Sequence, residues 1–288
     1  RRLVPGQPRG LGPGRPPRPG HGGRGVLTWR TLGPLRVSAD GRDVTPTAPK
    51  VRQVLALLLA RHDTVVPLAA LTSELWAGRP PRSATATVQT YAYQLRKALH
   101  GGEDPGPLDS GPLVTHAHGY LLRVQPGACD AEAFARLTGQ ARTALAEGDP
   151  AGAVALLDQA LLLWDGPPFA DVAPGPALHG HALRLNELHL QAEELRITAG
   201  LHLGRHRDLV GELKELACAH PLHEWFQGSL IIALERCGRR SEALDVYRRL
   251  SAQLRDELGL DPSPGLQRLR QHVLTDQVST ADLDLLPG

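Results

Sequence analysis

The chain has 288 residues, 41% hydrophobic and 22% charged, with a formal net charge of +2; this suits about two globular domains. No apolar run reaches the roughly 18 residues of a membrane helix, and the basic N-terminus lacks the apolar stretch of a secretory signal. Cys129, Cys218 and Cys237 are too few and too scattered for a disulfide framework or a paired-cysteine metal site and fit a reducing, cytoplasmic compartment.

Residues 1–25 are almost all Arg, Pro and Gly, with six arginines and no acid. Such a segment buries too little apolar surface to offset its ordering entropy and is predicted to be a disordered extension. The bias toward Arg, Ala, Leu, Gly and Pro suggests a GC-rich, actinobacterial genome. There Val26 would be a GTG start codon read as valine, and residues 1–25 would not be native. The alternative is a basic arm that touches DNA.

Residues 26–126 read as one unit. Thr28 to Val44 give short strands around a Gly41 turn, with Pro34 marking an edge. Val51, Val54, Leu55, Leu58 and Leu59 follow the helical period after Thr47. Pro67 suits the first turn of a second helix with an inner face of Leu68, Leu71, Leu75 and Trp76. Ser83 is the expected N-cap of a third helix running to about His100, its inner face Val88, Ala92, Leu95 and Leu99. After a Gly/Pro-rich loop, Leu113–Thr115 and Tyr120–Val124 read as a hairpin turning at His116 to Gly119. Strands, three helices and a hairpin are the order of a winged helix with its third helix in the recognition position.

That third helix is expected to present Thr87, Gln89, Thr90, Tyr93, Gln94, Arg96 and Lys97 on its outer face. Amides and hydroxyls pair with base edges, and Gln pairs bidentately with adenine. Arg96 and Lys97, near the helix end, suit phosphates. A merely solvated face is the competing account. Charge supports DNA: residues 26–128 carry eleven Lys/Arg against seven Asp/Glu, whereas residues 129–288 carry fifteen against twenty-three.

Residues 127–275 read as helical hairpins. Gly148, Gly204 and Gly238 sit in three similar joints, the last two 34 residues apart, which is the tetratricopeptide period. The first two are 56 apart, and the Pro/Gly-rich Asp165–Gly180 is expected to hold most of the excess as a loop. Residues 276–288 read as a flexible tail. The fold class is thus mainly α with a small β component: a winged helix-turn-helix followed by an all-α tetratricopeptide-like domain.

Enzyme signatures are missing. None of Lys50, Lys97 and Lys214 follows a glycine, which excludes a P-loop, and no Gly-x-Ser-x-Gly elbow occurs. The thirteen histidines include His116/His118, His179/His181 and His202/His206, but none gathers a full metal ligand set. Glu193 and Glu194 point to different sides of a helix. No enzyme activity, metal or cofactor is expected. The rival reading is a protein-interaction scaffold whose winged helix is vestigial or binds DNA without specificity. A ligand-gated regulator is a third, with no residues to identify an effector.

Several stretches together resemble the Streptomyces antibiotic regulatory protein family. They are Leu32 to Val37, Lys50 to Leu59, Leu75-Trp76, Val88 to Leu99, Gly119-Tyr120, Leu163 to Gly166, His220 to Leu222, Gly238 to Leu244, Tyr247 and Glu257 to Ser263. The resemblance spans about residues 27–274. It implies an OmpR/PhoB-type winged helix followed by a bacterial transcriptional activation domain. It further implies activation of a secondary-metabolite (antibiotic) gene cluster. The protein would bind double-stranded DNA at direct repeats near the −35 element and recruit RNA polymerase holoenzyme, including its sigma factor. A homodimer on DNA is compatible with that arrangement, as is a cytoplasmic, nucleoid-associated location. Thr87, Gln89, Thr90, Tyr93 and Gln94 are then expected to face bases. Lys50, Arg52, Arg96 and Lys97 would hold phosphates, and His116 and His118 would sit on the wing. Relatives commonly have Ser-Arg at Tyr93-Gln94, so the operator is expected to differ. They also tend to carry arginine at the position of His116, so wing binding is expected to strengthen as pH falls from 8 to 6.

Overall fold

The computed structural model describes residues 26–101 and 111–286. The expected extension 1–25 and residues 102–110 of the Gly/Pro-rich loop lie outside the described residues.

The first sheet is an antiparallel meander of β1 (Leu27–Arg30), β2 (Arg36–Ala39) and β3 (Arg42–Asp43). Trp29 faces Val37 across the ladder, and both are buried. Asp40 and Gly41 close the β2–β3 turn with positive φ at both positions, the geometry that matches strand twist in a two-residue hairpin. Three helices follow: α1 (Pro49–Ala60), α2 (Leu68–Trp76) and α3 (Ala84–Leu99). A strand not expected from the sequence, β4 (Val65–Pro67), precedes α2 and pairs with β6 (Gly119–Leu122), which pairs in turn with β5 (Leu113–His116). Pro67 therefore ends an edge strand rather than opening the second helix. An edge tolerates its missing N–H, and a segment this short shows no alternation to read.

The second half runs through α4 (Asp130–Ala146), α5 (Pro150–Leu161), α6 (Pro176–His202), α7 (His206–Ala219), α8 (Glu224–Arg236), α9 (Arg240–Gln253) and α10 (Pro264–Thr275). Gly148, Gly204 and Gly238 fall between α4 and α5, α6 and α7, and α8 and α9, each with φ of +74 to +81°. Left-handed backbone ends a helix tightly, which is what these joints require. His202 and His206 accordingly sit on different helices. Two expectations are corrected. Residues 176–180 belong to α6, not to the loop, because Pro176 starts the helix at its first position. Residues 276–286 do not trail away: Thr280–Leu285 form a 3-10 turn with a Ser279–Asp282 capping box, and Val278, Leu283 and Leu286 are buried.

The joint expected at residues 126 and 127 lies inside a core. One buried cluster joins Trp29, Leu55, Leu95 and Leu122 to Phe134, Leu157, Phe169 and Leu185; a second joins Ile197, Leu213, Phe226, Ile232, Leu250 and Leu269. Helix α6 enters both. Polar contacts reinforce the seam. The Asp130 carboxylate accepts from the Thr31 and Leu32 N–H groups at 2.8–3.1 Å, while Asp165 and Phe169 N–H donate to the Leu32 and Thr31 carbonyls. Glu74, 3% exposed on α2, accepts from Gly175 N at 2.6 Å and Ala177 N at 2.9 Å at the start of α6. A Cβ on Gly175 would lie 2.3 Å from the Glu74 carbonyl oxygen, so only glycine permits this approach.

Candidate nucleic-acid interface

Helix α3 has two chemically distinct sides. Ala84, Val88, Ala92, Leu95 and Leu99 are buried, as their 3.6 spacing predicts. Gln89, Thr90, Tyr93, Gln94 and Lys97 are exposed, and they fall within about 140° of the helical wheel. Tyr93 is 54% exposed, unusual for a residue of its size. Thr87 is half-buried at the border. The Thr87 and Thr90 hydroxyls donate to the Ser83 and Ala86 carbonyls at 3.0 Å, which leaves each with lone pairs to offer outward. Ser83 holds the N-cap position but its side chain makes no cap hydrogen bond.

Two of the expected phosphate holders point inward. Arg96 is 7% exposed, not on the outer face. Its guanidinium donates from Nε to the Leu113 carbonyl at 3.1 Å, donates also to Thr115 Oγ1, and lies 5.8 Å above the Tyr120 ring. It ties α3 to β5 and β6, where the edge of the wing supplies carbonyls that need donors. Burial pushes the Tyr120 phenol up, and the Arg96 cation opposes that shift. Arg52 donates to the Pro46 and Leu35 carbonyls at 3.1 and 3.0 Å and pairs with Asp171, across the seam. Asp171 also accepts from Leu35 N at 2.8 Å. Arg52 is thus committed to joining the two halves. Lys50 is exposed, but its ammonium donates to the Leu75 carbonyl at 2.8 Å and to Gln53 Oε1 at 3.0 Å.

His116 ends β5, His118 stands in the turn before β6, and both are exposed. The His118 carbonyl accepts from Leu68 N at 2.9 Å, which fixes the turn to the start of α2. Sequence reasoning missed Arg79 and Arg82, both exposed just before α3. The Arg79-Pro-Pro-Arg82 run was the signal available. It also missed Glu74, which no pattern marks, since a glutamate on an amphipathic helix reads as solvated.

An exposed polar helix beside a hairpin wing, on a helical-hairpin body, defines the class of winged-helix regulators. A family model described as bacterial transcriptional activator domain matches residues 129–274, and one described as transcriptional regulatory protein, C terminal, matches residues 42–110. The regulatory protein DnrI of Streptomyces peucetius is 42% identical over 246 residues, 84% of this chain and 90% of DnrI. The regulatory protein AfsR of Streptomyces coelicolor is 40% identical over 260 residues, but this chain spans only 25% of its length. Among solved structures, Mycobacterium tuberculosis EmbR in complex with a low affinity phosphopeptide aligns with a TM-score of 0.83 and 32% identity. That alignment covers 91% of this chain and 68% of the other. The chain belongs to the Streptomyces antibiotic regulatory protein family, whose members here are transcriptional regulators. Among the described residues no helix is long and apolar enough to cross a membrane.

Proposed function

We propose that the protein is a sequence-specific DNA-binding activator of a secondary-metabolite gene cluster, acting in the cytoplasm at direct repeats near a −35 element and recruiting RNA polymerase through its holoenzyme. The carrying observation is the exposed amide and hydroxyl stripe of α3, on a chain whose second half matches an activator domain. Gln89 and Gln94 read adenine edges, Thr90 and Thr87 accept from base amino groups, and Tyr93 packs against a thymine methyl or the sugar edge. Lys97, Arg79 and Arg82 hold phosphates. Lys50 has one ammonium hydrogen left for a phosphate after its two protein bonds. Arg52 and Arg96 act as positioning residues. His116 and His118 line the wing. The acidic second half presents the surface that polymerase holoenzyme, with its sigma factor, engages.

Fluorescence anisotropy with promoter fragments from the neighbouring cluster, over a salt series and with or without holoenzyme, tests this reading. Tight binding that depends on the repeats and strengthens with holoenzyme is expected. Weak binding, equal on all fragments and lost as salt rises, would overturn it in favour of a scaffold with a generic winged helix.

A further inference from the structure

A cavity of about 1180 Å³ opens between the first sheet, the end of α3 and the stretch that follows β6. Leu27, Val44 and Leu121 are half-buried in its wall, and the buried Trp29 and Leu99 line it as well. Two cations share the lining, Arg42 of β3 and Arg123 just after β6, and both are exposed. Among the described residues neither guanidinium has a hydrogen-bond or ion-pair partner. The two carboxylates in the lining are engaged elsewhere. Asp40 accepts from Val26 N at 2.9 Å. Asp63 accepts from Val124 N at 3.3 Å with one oxygen and meets His62 Nδ1 at 3.0 Å with the other. His100 donates from Nδ1 to the Arg96 carbonyl at 2.8 Å, which leaves its Nε2 free to accept.

We propose that this cavity binds a small amphipathic anion, an organic acid whose apolar body lies against Leu27, Val44 and Leu121 and whose head group meets Arg42 and Arg123. Protein interiors leave few voids larger than a water molecule, so an unfilled space of this size is an exception that asks for an occupant. Ligand pockets run to roughly 300–1,000 Å³, and this cavity takes a drug-sized molecule with room for water. Its makeup is that of such pockets, an apolar wall with a few polar groups to orient the guest. The charge of the guest follows from the donors left over. The arginines alone combine a full charge with unused N–H groups, and a guanidinium fork matches a carboxylate in two parallel hydrogen bonds. The apolar wall then selects an organic acid over a bare inorganic anion, which gains nothing from covering it. The exposed stripe of α3 from Gln89 to Lys97 does not line the cavity, so ligand binding is measurable without DNA and stands apart from the DNA-binding reading.

The experiment is a fluorescence titration of the full chain with anilinonaphthalene sulfonate, an aromatic anion that brightens in apolar surroundings, competed by naphthoate, uncharged naphthamide or inorganic phosphate. Saturable binding is expected, displaced by naphthoate, at least about tenfold less well by naphthamide, and not by phosphate. Arg42→Gln/Arg123→Gln removes the head-group donors and is expected to weaken binding by at least about tenfold. Val44→Glu, which spoils the wall and repels the anion, is expected to do the same. Asp40→Asn keeps the acceptor for Val26 and removes a repelling charge, so it should tighten binding by about two- to fivefold. Arg270→Gln, far off on α10 beside Tyr247, is the control and should change nothing. Circular dichroism showing unchanged helix content keeps misfolding apart from loss of contact. The proposal is overturned by a wild type that binds no probe, as it would if another part of the chain filled the cavity. It is equally overturned by naphthamide competing as well as naphthoate, which marks a merely apolar patch, or by phosphate doing so, which marks a bare anion site. Binding that ignores the cavity variants, or falls as much with Arg270→Gln, places the probe elsewhere and sinks it too.

Discussion

The two hydrophobic cores divide the molecule differently from its two sequence units. The first core belongs to both units: the winged helix, α4, α5 and a face of α6 that runs from Leu178 to Ala199 bury their apolar side chains against one another. The second belongs to one unit alone, formed by Ile197 and Leu201 of α6 with α7 to α10 and the 3-10 turn. The difference shows where rigidity resides. The winged helix is braced by α4, α5 and α6, whereas α7 to α10 are joined to it through the continuous backbone of α6. The first turn of α6 is itself held by Glu74 on α2, directly before α3.

Substitutions in the two cores should therefore have separable consequences. The largest expected effect is in the second. Leu269→Ala empties a fully buried position and should cost about 2–5 kcal/mol while leaving DNA affinity of the folded protein unchanged. Urea unfolding followed by Trp225 fluorescence, together with DNA titrations, checks this. Loss of DNA binding in the folded variant would show that the cores are not separable. Next is Glu74→Ala, which leaves N–H groups at the start of α6 without their acceptor and should cost about 2–4 kcal/mol. Here DNA binding should weaken as well, because α2 loses its seat. A Glu74→Ala variant that binds operator like the wild type would break the argument that the first core braces the reading helix.

Within the first region a smaller contrast concerns neighbouring cations. Lys97→Ala should weaken binding to all sequences alike and lower the salt slope by about one, and Gln94→Ala should relax specificity at one base pair by about 1–3 kcal/mol. Arg96→Ala should instead lower stability, with the salt slope of the folded protein unchanged, because the guanidinium serves the Leu113 carbonyl and not solvent. Salt-dependent anisotropy and thermal melts of the three variants separate these outcomes.

Much of this was legible in the residues. The α3 inner face follows from period alone, and the hairpin joints follow from three glycines in like settings. The inward turn of Arg96 and Arg52 was not legible. A cation on a helix reads as solvated unless distant carbonyls or carboxylates await it, and those of Leu113 and Asp171 are brought close only by tertiary folding. Strand β4 failed for a related reason: three residues carry no period, and only pairing with β6 makes them a strand. The 3-10 turn was hidden because Val278, Leu283 and Leu286 are spaced too irregularly to mark a face. Glu74 and the seam it closes depend on residues about a hundred positions apart.

The finest distinction between the two regions is their response to pH. His181 packs near the Phe169 ring of the first core, with centroids 6.1 Å apart. Burial, aided by the nearby Arg184, His62 and Arg61, lowers it to about 4 from its ordinary 6.5. Between those values the unfolded chain binds the proton and the folded chain does not, so this residue makes stability rise as pH climbs through that window. Glu194, further along α6, lies 3.6 Å from His223 at the start of α8. Burial, reinforced by Glu187, raises it to about 7 from 4.5. There the folded chain keeps a proton that the unfolded chain has released, so stability falls as pH climbs from 4.5 to 7. Burial also lowers His223, which works in the opposite direction within the same pair. The expected outcome is that His181→Asn flattens the rise and Glu194→Gln flattens the fall. Melts at pH 4 to 8 can assign each, because Trp225 is the tryptophan of the second core while Trp29, Trp76 and Trp164 belong to the first. If Glu194→Gln changed only the transition seen by the first-core tryptophans, the C-terminal half of α6 would belong energetically to the winged-helix region, and the boundary between the two cores would have to move toward α7.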